Sequence, residues 1–234
     1  DGRRSRVRGV QRDATTHAGL WLDKYLTKVR LPDERKTREE GGEPDPGVAI
    51  RALLEEAGGT AIPDGYAAAL ARRRTSLETL TGGVEAGVTS FFKATARGRL
   101  IIGLGTHSLR ETNIALLHTW GAPYLPGSAL KGLASAAAAR LSSGTDWKRS
   151  PEQGPDHELL FGNTTQAGHV VFHDAWWMPA DGAGKLPLDI DVMTVHHPDY
   201  YGDGVTAPAD WDEPNPVAFL TAHGDYLVAL SGPR

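Results

Sequence analysis

The sequence predicts an α+β protein, with helices gathered at the front of the chain and strands behind them. Three observations predict it. Apolar residues recur at helical spacing through residues 1–83, and from residue 84 the period shortens to two. One alanine-rich helix then interrupts the strand-like segments, in GAPYLPGSALKGLASAAAARL at residues 121–141. The 234 residues, 40% hydrophobic and 23% charged, suit one large domain or two small ones. The pattern reads as a helical N-terminal extension over 1–83 and a main domain over 84–234.

The chain opens on a basic arm of Arg3, Arg4, Arg6, Arg8 and Arg12. Ala18, Leu22, Leu26, Tyr25 and Val29 then mark one helix face. LPDERKTREEGGEPDPG reads as a loop, and VAIRALLEEAGG as a short helix stopped by Gly58 and Gly59. A longer helix runs from about Asp64 to Gly82-Gly83, with Tyr66, Leu70, Leu77 and Leu80 on one side. Its Arg72, Arg73 and Arg74 fan round the axis, since consecutive helical residues do not share a face.

VTSFFKATARGRLIIGLG is expected as one strand, with Lys93, Arg97 and Arg99 on a basic front and Ala96, Leu100, Ile102 and Leu104 behind. Three cations on one face fit RNA or DNA. TNIALLHTW is expected as a second short strand, residues 142–158 as a polar loop, and GHVVFHDAWW as a strand. Residues 178–216 read as a long Pro/Gly-rich insertion with little regular structure, and PVAFLTAHGDYLVALSG as a hairpin turning near Gly224-Asp225.

The central helix concentrates the chemistry. Ser128 is placed to cap it, and Leu130, Leu133, Ala134, Ala137 and Leu141 form the expected buried stripe. A helix N-terminus offers unpaired amides and partial positive charge, so it draws anions. Lys131 sits in the first turn, and Gly132, costly in a helix by about 1 kcal/mol relative to Ala, leaves room for a close approach. Residues 88–140 hold six Lys and Arg against one acid, Glu111.

Charge is unevenly spread. Residues 1–150 carry 23 Lys and Arg against 16 Asp and Glu, while residues 151–234 carry 2 against 13. A basic part can track phosphates, and an acidic part suits a basic protein surface. The absence of cysteine excludes disulfides, thiolate metal sites and cysteine nucleophiles. No signal peptide or long apolar run appears, so no membrane partner is expected, and a cytoplasmic location fits.

Ser128-Ala129-Leu130-Lys131 matches the S-x-x-K acyl-enzyme motif, but S-D-N and K-T-G companions are missing. His196, His197 and Asp199, with Asp189 and Asp191, have no defined ligand spacing, so neither a metal nor another cofactor is expected. His107, His118 or His197 could serve as a general base in RNA cleavage, with nothing in the spacing to single one out. Tyr124, Trp176, Trp177, Tyr200 and Tyr201 could stack on unpaired bases.

Read together, IIGLGTHSLRETNIALLHTWGAPYLPGSALKG, LLFGN, GHVVFHDAWW, LDIDVMTVHHPDYYG and DWDEPNPVAFLTAHG resemble the RAMP superfamily of CRISPR proteins, and in particular are similar to its subunit-six members in type III-B (Cmr) effector complexes. The resemblance covers about residues 90–230. It implies a ferredoxin-like (RRM-like) fold and a non-catalytic subunit that binds guide RNA (crRNA), caps the filament at the guide 3′ end and supports antiviral defence. Implied partners are guide and target RNA and the backbone, small and other RAMP subunits. The P-G-S-x-L-K-G turn faces the guide backbone in such proteins, so Gly127, Ser128 and Lys131 inherit that role. With the residue-level reading, the expected RNA-binding set is Gly127, Ser128, Lys131, Gly132, Lys93, Arg97, Arg99, Arg110, Tyr124 and His197. Superfamily relatives that cleave guide precursors with histidines supply the alternative, a metal-independent endoribonuclease. Two departures stand out: Ala134 and Ser135 occupy the place of a frequent arginine, and the glycine-rich loop and closing strand are not evident before Arg234.

Overall fold

A computed structural model describes residues 10–13, 15–25, 46–80, 87–106, 112–142, 144–149, 153–179, 186–195, 197–207, 209, 211–212 and 215–233. Arg3, Arg4, Arg6, Arg8, Leu26, Val29, His107, Arg110, Glu111, His196 and the loop at 31–45 lie outside the described residues. Helices and antiparallel strands make the chain α+β, as its periodicities predict. It divides into two compact units, each assembled from three separate stretches of chain.

The first unit comprises residues 1–63, 98–121 and 185–223. It contains α1 (Ala18–Lys24) and α2 (Pro46–Gly58). α1 is capped by an imidazole, because the Leu20 N–H donates to His17 Nδ1 at 3.1 Å. Trp21 is buried, stacks on Tyr25 at 4.1 Å and donates from Nε1 to Glu56 at 2.8 Å. Arg12 of the basic arm donates to the Glu56 carbonyl, near the C-terminal end of α2 where the helix dipole favours a cation.

Under α1 and α2 lie two long antiparallel strands, β5 (Leu188–Val195) and β6 (Asn215–Ala222), paired in register from Leu188 opposite Ala222 to Val195 opposite Asn215. Ala18, Leu22, Leu54, Ala57, Leu188 and Leu220 close the core. The stretch 178–216 therefore contains regular structure among its described residues. DIDVMTV alternates and forms β5, and a short helix, α6 (Pro198–Asp203), follows it. TNIALLHTW forms no extended strand. Ile114 is buried, but the segment holds to its neighbour through a bond from the Ala115 N–H to the Ile102 carbonyl and then turns at 118–120.

The second unit comprises residues 64–97, 122–184 and 224–234. Its sheet runs in the order β1-β7-β4-β2, from β1 (Gly87–Thr95), β7 (Asp225–Pro233), β4 (Ala175–Met178) and β2 (Tyr124–Leu125), and β3 (Val171–Phe172) also pairs with β7. GHVVFHDAWW is thus two short strands, broken at His173-Asp174. β6 and β7 follow one another but make no hairpin. An eight-residue ladder ties β6 to β5 and a nine-residue ladder ties β7 to β1. The joint between them passes through Gly224 at φ +99°, where a Cβ would lie 2.7 Å from Trp177 Nε1.

Register assigns the faces. Thr89, Phe91 and Trp176 point to one side, where α3 (Tyr66–Leu80) lies. Tyr66, fully buried, donates to the Trp177 carbonyl at 2.7 Å, and Thr89 donates to the Leu77 carbonyl at 3.1 Å. Phe172 points to the other side and stacks on Phe161 of α5 (Pro155–Phe161) at 5.9 Å. Among the described residues of 142–158, expected as a loop, are a 3-10 turn at Thr145–Trp147 and the first turn of α5.

α4 (Gly127–Leu141) is the central helix, but its buried face is not the leucine stripe. Leu133 is 69% and Leu141 79% exposed, while Ser135 is buried and bonded to His157 Nε2 at 2.8 Å. Gln153 Nε2 bonds the other ring nitrogen at 2.7 Å, so a polar clasp holds α4 to α5. Burial selected the small residues of α4, because a helix lying close to its neighbour excludes leucine there.

A directional chain of hydrogen bonds stitches the sheet. The single Thr89 proton is spent on Leu77, so Ser231, 2.8 Å away, must donate to Thr89. His173 Nε2, 2.8 Å from Ser231 Oγ, must then carry the proton it donates. Burial, and secondarily the charge of Arg73, lowers the His173 pKa below its ordinary 6.5. No helix among the described residues is long and apolar enough to cross a membrane.

These contacts have measurable consequences. Gly127→Ala would set a Cβ 2.1 Å from the Phe172 carbonyl, whereas Gly132→Ala meets nothing within 4 Å. In urea denaturation the first loses about 3 kcal/mol by overpacking, and the second gains about 0.5–1 kcal/mol of helix propensity. The unfolded chain protonates His173 near pH 6.5, the folded one only at lower pH, so stability falls as pH drops below about 6.5. His173→Gln, which keeps a donor and has no titratable ring, shows a shallower fall in its urea midpoint between pH 7 and 5.

Candidate nucleic-acid interface

The entry to α4 differs from the predicted cap. Pro126 occupies the N-cap and has no capping side-chain bond of its own, and Ser128 stands inside the first turn. The Gly127 N–H donates to Asp174 Oδ1 at 2.7 Å. The first anion at this helix end is therefore the chain's own carboxylate, delivered by the turn between β3 and β4. Gly127 is buried against the Phe172 carbonyl, so its place is structural.

What remains accessible is the outer side of the same turn. Ser128 and Lys131 are both exposed, and at a spacing of three residues they lie on one helix face. Gly132 faces open space. Just before the helix, Tyr124 pairs across the sheet with Trp176, and both are half-buried. A hydroxyl, an ammonium, an open backbone and an aromatic pair can together receive a phosphodiester strand.

The basic strand face is corrected. β1 ends at Thr95, the chain bends at Arg97-Gly98, and Lys93 and Arg99 fall in different units. Both are answered by carboxylates. Lys93 Nζ lies 3.0 Å from Asp225, while Arg99 donates to the Ile190 carbonyl at 2.8 Å and lies 3.3 Å from Asp191. Thr95 first and then Lys93 hold the Asp225 pKa below its ordinary value. Arg97 is exposed.

Gly127, Ser128, Lys131, Gly132, Tyr124, Lys93 and Arg97 belong to the second unit, Arg99 and His197 to the first, and Arg110 lies outside the described residues. His197 Nδ1 sits 2.7 Å from Asp212, whose pKa it lowers by that hydrogen bond, aided by the Ala209 N–H. Among the described residues, no group of three or more His, Asp or Glu side chains could hold a metal ion.

Sequence reasoning missed the Asp174 contact and the ring contacts of the α3 arginines. Arg73 lies over Trp176 at 5.0 Å and Arg74 over Phe91 at 5.3 Å. Asp174 carries a weak signal, as an acid in a break between strands. The stacks join residues too distant in sequence for spacing to reveal.

Comparison with known proteins shows the family. The Cmr subunit Cmr6 of the CRISPR system of Pyrococcus furiosus is 30% identical to the chain, over 62% of the chain and 57% of that protein's length. The chain thus spans little more than half of this relative. A chain in the cryo-EM structure of the type III-B Cmr-beta complex bound to cognate target RNA superposes with a TM-score of 0.61 at 22% identity, covering 81% of this chain and 61% of that one, a likeness of fold. The crystal structure of Cmr6 from Pyrococcus furiosus aligns over 64% of this chain and 85% of that one, at 28% identity and a TM-score of 0.36. The RAMP superfamily pattern matches residues 93–216, more than half of the sequence and the stretch that holds the α4 turn, and the chain belongs to the RAMP superfamily.

Proposed function

We propose that this chain is a non-catalytic subunit of a type III-B CRISPR effector complex that binds guide RNA and caps the filament at the guide 3′ end, in support of antiviral defence. The observation that carries the reading is the outer side of the α4 turn, where Ser128 and Lys131 stand exposed beside the open surface of Gly132. Similarity to Cmr6 and to a chain of the Cmr-beta complex supports the assignment to type III-B. Tyr124 and Arg97 extend the contact within the same unit. Lys93 joins it where an RNA phosphate replaces Asp225, and Arg99, Arg110 and His197 are proposed as RNA contacts of their own. Target RNA and the backbone, small and other RAMP subunits are the remaining partners, the acidic C-terminal third being suited to protein contacts rather than to phosphate.

His197 and Asp212 favour a second reading. A carboxylate 2.7 Å from an imidazole nitrogen orients the ring as in a general base, which a metal-independent endoribonuclease of guide precursors would need. The non-catalytic reading is preferred because the α4 turn, not this pair, carries the motif shared with the superfamily.

Two experiments separate the readings. Lys131→Ala combined with Arg97→Ala weakens retention of labelled guide RNA by about tenfold or more at 0.1 M salt, and lowers the log–log salt slope by about 1.4 for two phosphate contacts. Unchanged retention contradicts the proposed contact. Labelled precursor RNA incubated with the purified chain in chelator stays intact, whereas specific cleavage abolished by His197→Ala would establish the endoribonuclease.

A further inference from the structure

The triple arginine of α3 has no part in the turn described above, yet its three side chains have different fates. Arg74 lies over Phe91, and its Nε pairs with Glu78 at 3.0 Å, so its charge is already answered. Arg72 is exposed. Arg73 is half-buried over the Trp176 ring at 5.0 Å, and among the described residues no carboxylate pairs with it.

A guanidinium held over an indole by a cation–π contact keeps its charge and loses part of its freedom, so a planar fork there can make two parallel bonds to a phosphate at a reduced entropic cost. The position fits as well. Trp176 pairs across the sheet with Tyr124, two residues before the Pro126 cap of α4. The charge of Arg73 is felt at His173, whose neighbour Asp174 holds the Gly127 amide. Arg73, Trp176 and Tyr124 thus share the α3 side of the sheet, and at its β2 edge the chain leads from Tyr124 through Pro126 into α4.

We propose that Arg73, held on Trp176, is a phosphate-binding residue that extends the RNA track from the α4 turn onto helix α3. The inference rests on the RNA-binding reading of that turn, and adds a contact from an element that precedes the superfamily match at residues 93–216.

Fluorescence anisotropy with a fluorescein-labelled, mixed-sequence, single-stranded 20-nucleotide RNA probe, titrated with the full chain between 0.05 and 0.3 M salt, tests it. Arg73→Gln weakens binding about five- to tenfold at 0.1 M salt and lowers the salt slope by about 0.7, the effect of one phosphate contact. Arg73→Lys, which keeps the charge but loses the planar fork, recovers only part of the affinity. Thermal midpoints are read for each variant. A lowered midpoint with unchanged affinity and slope means that Arg73 only packs on Trp176, and overturns the proposal. Should Arg73→Gln not fold, Arg73→Lys decides alone: full wild-type affinity overturns the proposal, and a two- to threefold loss supports it. Lys131→Ala is run alongside. If it weakens binding while the Arg73 variants do not, this inference fails and the α4 turn stands. If the wild-type chain does not bind the probe, both fail.

Discussion

The missing side chain at residue 127 sets how α4 meets the sheet of the second unit. With no Cβ, the start of α4 comes against the Phe172 carbonyl, and the same approach lets Asp174 reach the Gly127 amide. One close contact and one hydrogen bond thus tie the head of a helix to a break between two strands. The consequence for ligand binding is specific. The innermost part of the helix dipole is neutralised from within, so an incoming phosphate meets the side chains of the first turn rather than its deepest amide. That shifts the weight of recognition to Ser128 and Lys131, and onward to the aromatic pair of Tyr124 and Trp176.

Elements that depend on local sequence were legible. α2 and α3 end near their glycines, the three arginines of α3 fan apart, and the period-two stretch before Arg97 becomes β1. Competition between distant segments was not legible. The C-terminal strands look like a hairpin in isolation, yet each finds a longer partner elsewhere, β6 with β5 and β7 with β1. The leucines of α4 look like a core stripe, yet Ser135 is buried and Leu133 exposed, because the neighbouring helix is joined through His157. Proline and glycine at 178–216 hid an alternating strand. At the site, the turn motif was visible from its residues, while its carboxylate cap and the arginine stack were not, since both join segments far apart in sequence.

Electrostatics here is largely a matter of which cations are already answered. Lys93 and Arg99 face carboxylates, and Arg74 faces Glu78. Such solvent-screened pairs contribute little to stability and exchange readily for a phosphate. Lys131 and Arg97 are exposed, and Arg73 is held by a ring rather than by an acid. A ring-held guanidinium keeps its charge for a ligand, whereas an ion pair must first be broken. This difference, more than the count of basic residues, separates the α4 turn and its surroundings from the acidic C-terminal third.

The most direct measurement is ultraviolet crosslinking of guide RNA to the full chain, followed by mapping of the crosslinked peptides. The account predicts attachment within residues 122–132 and 171–178, around the α4 turn and the Trp176 strand. Crosslinks confined to residues 98–121 and 185–223, with none at the turn, would contradict it.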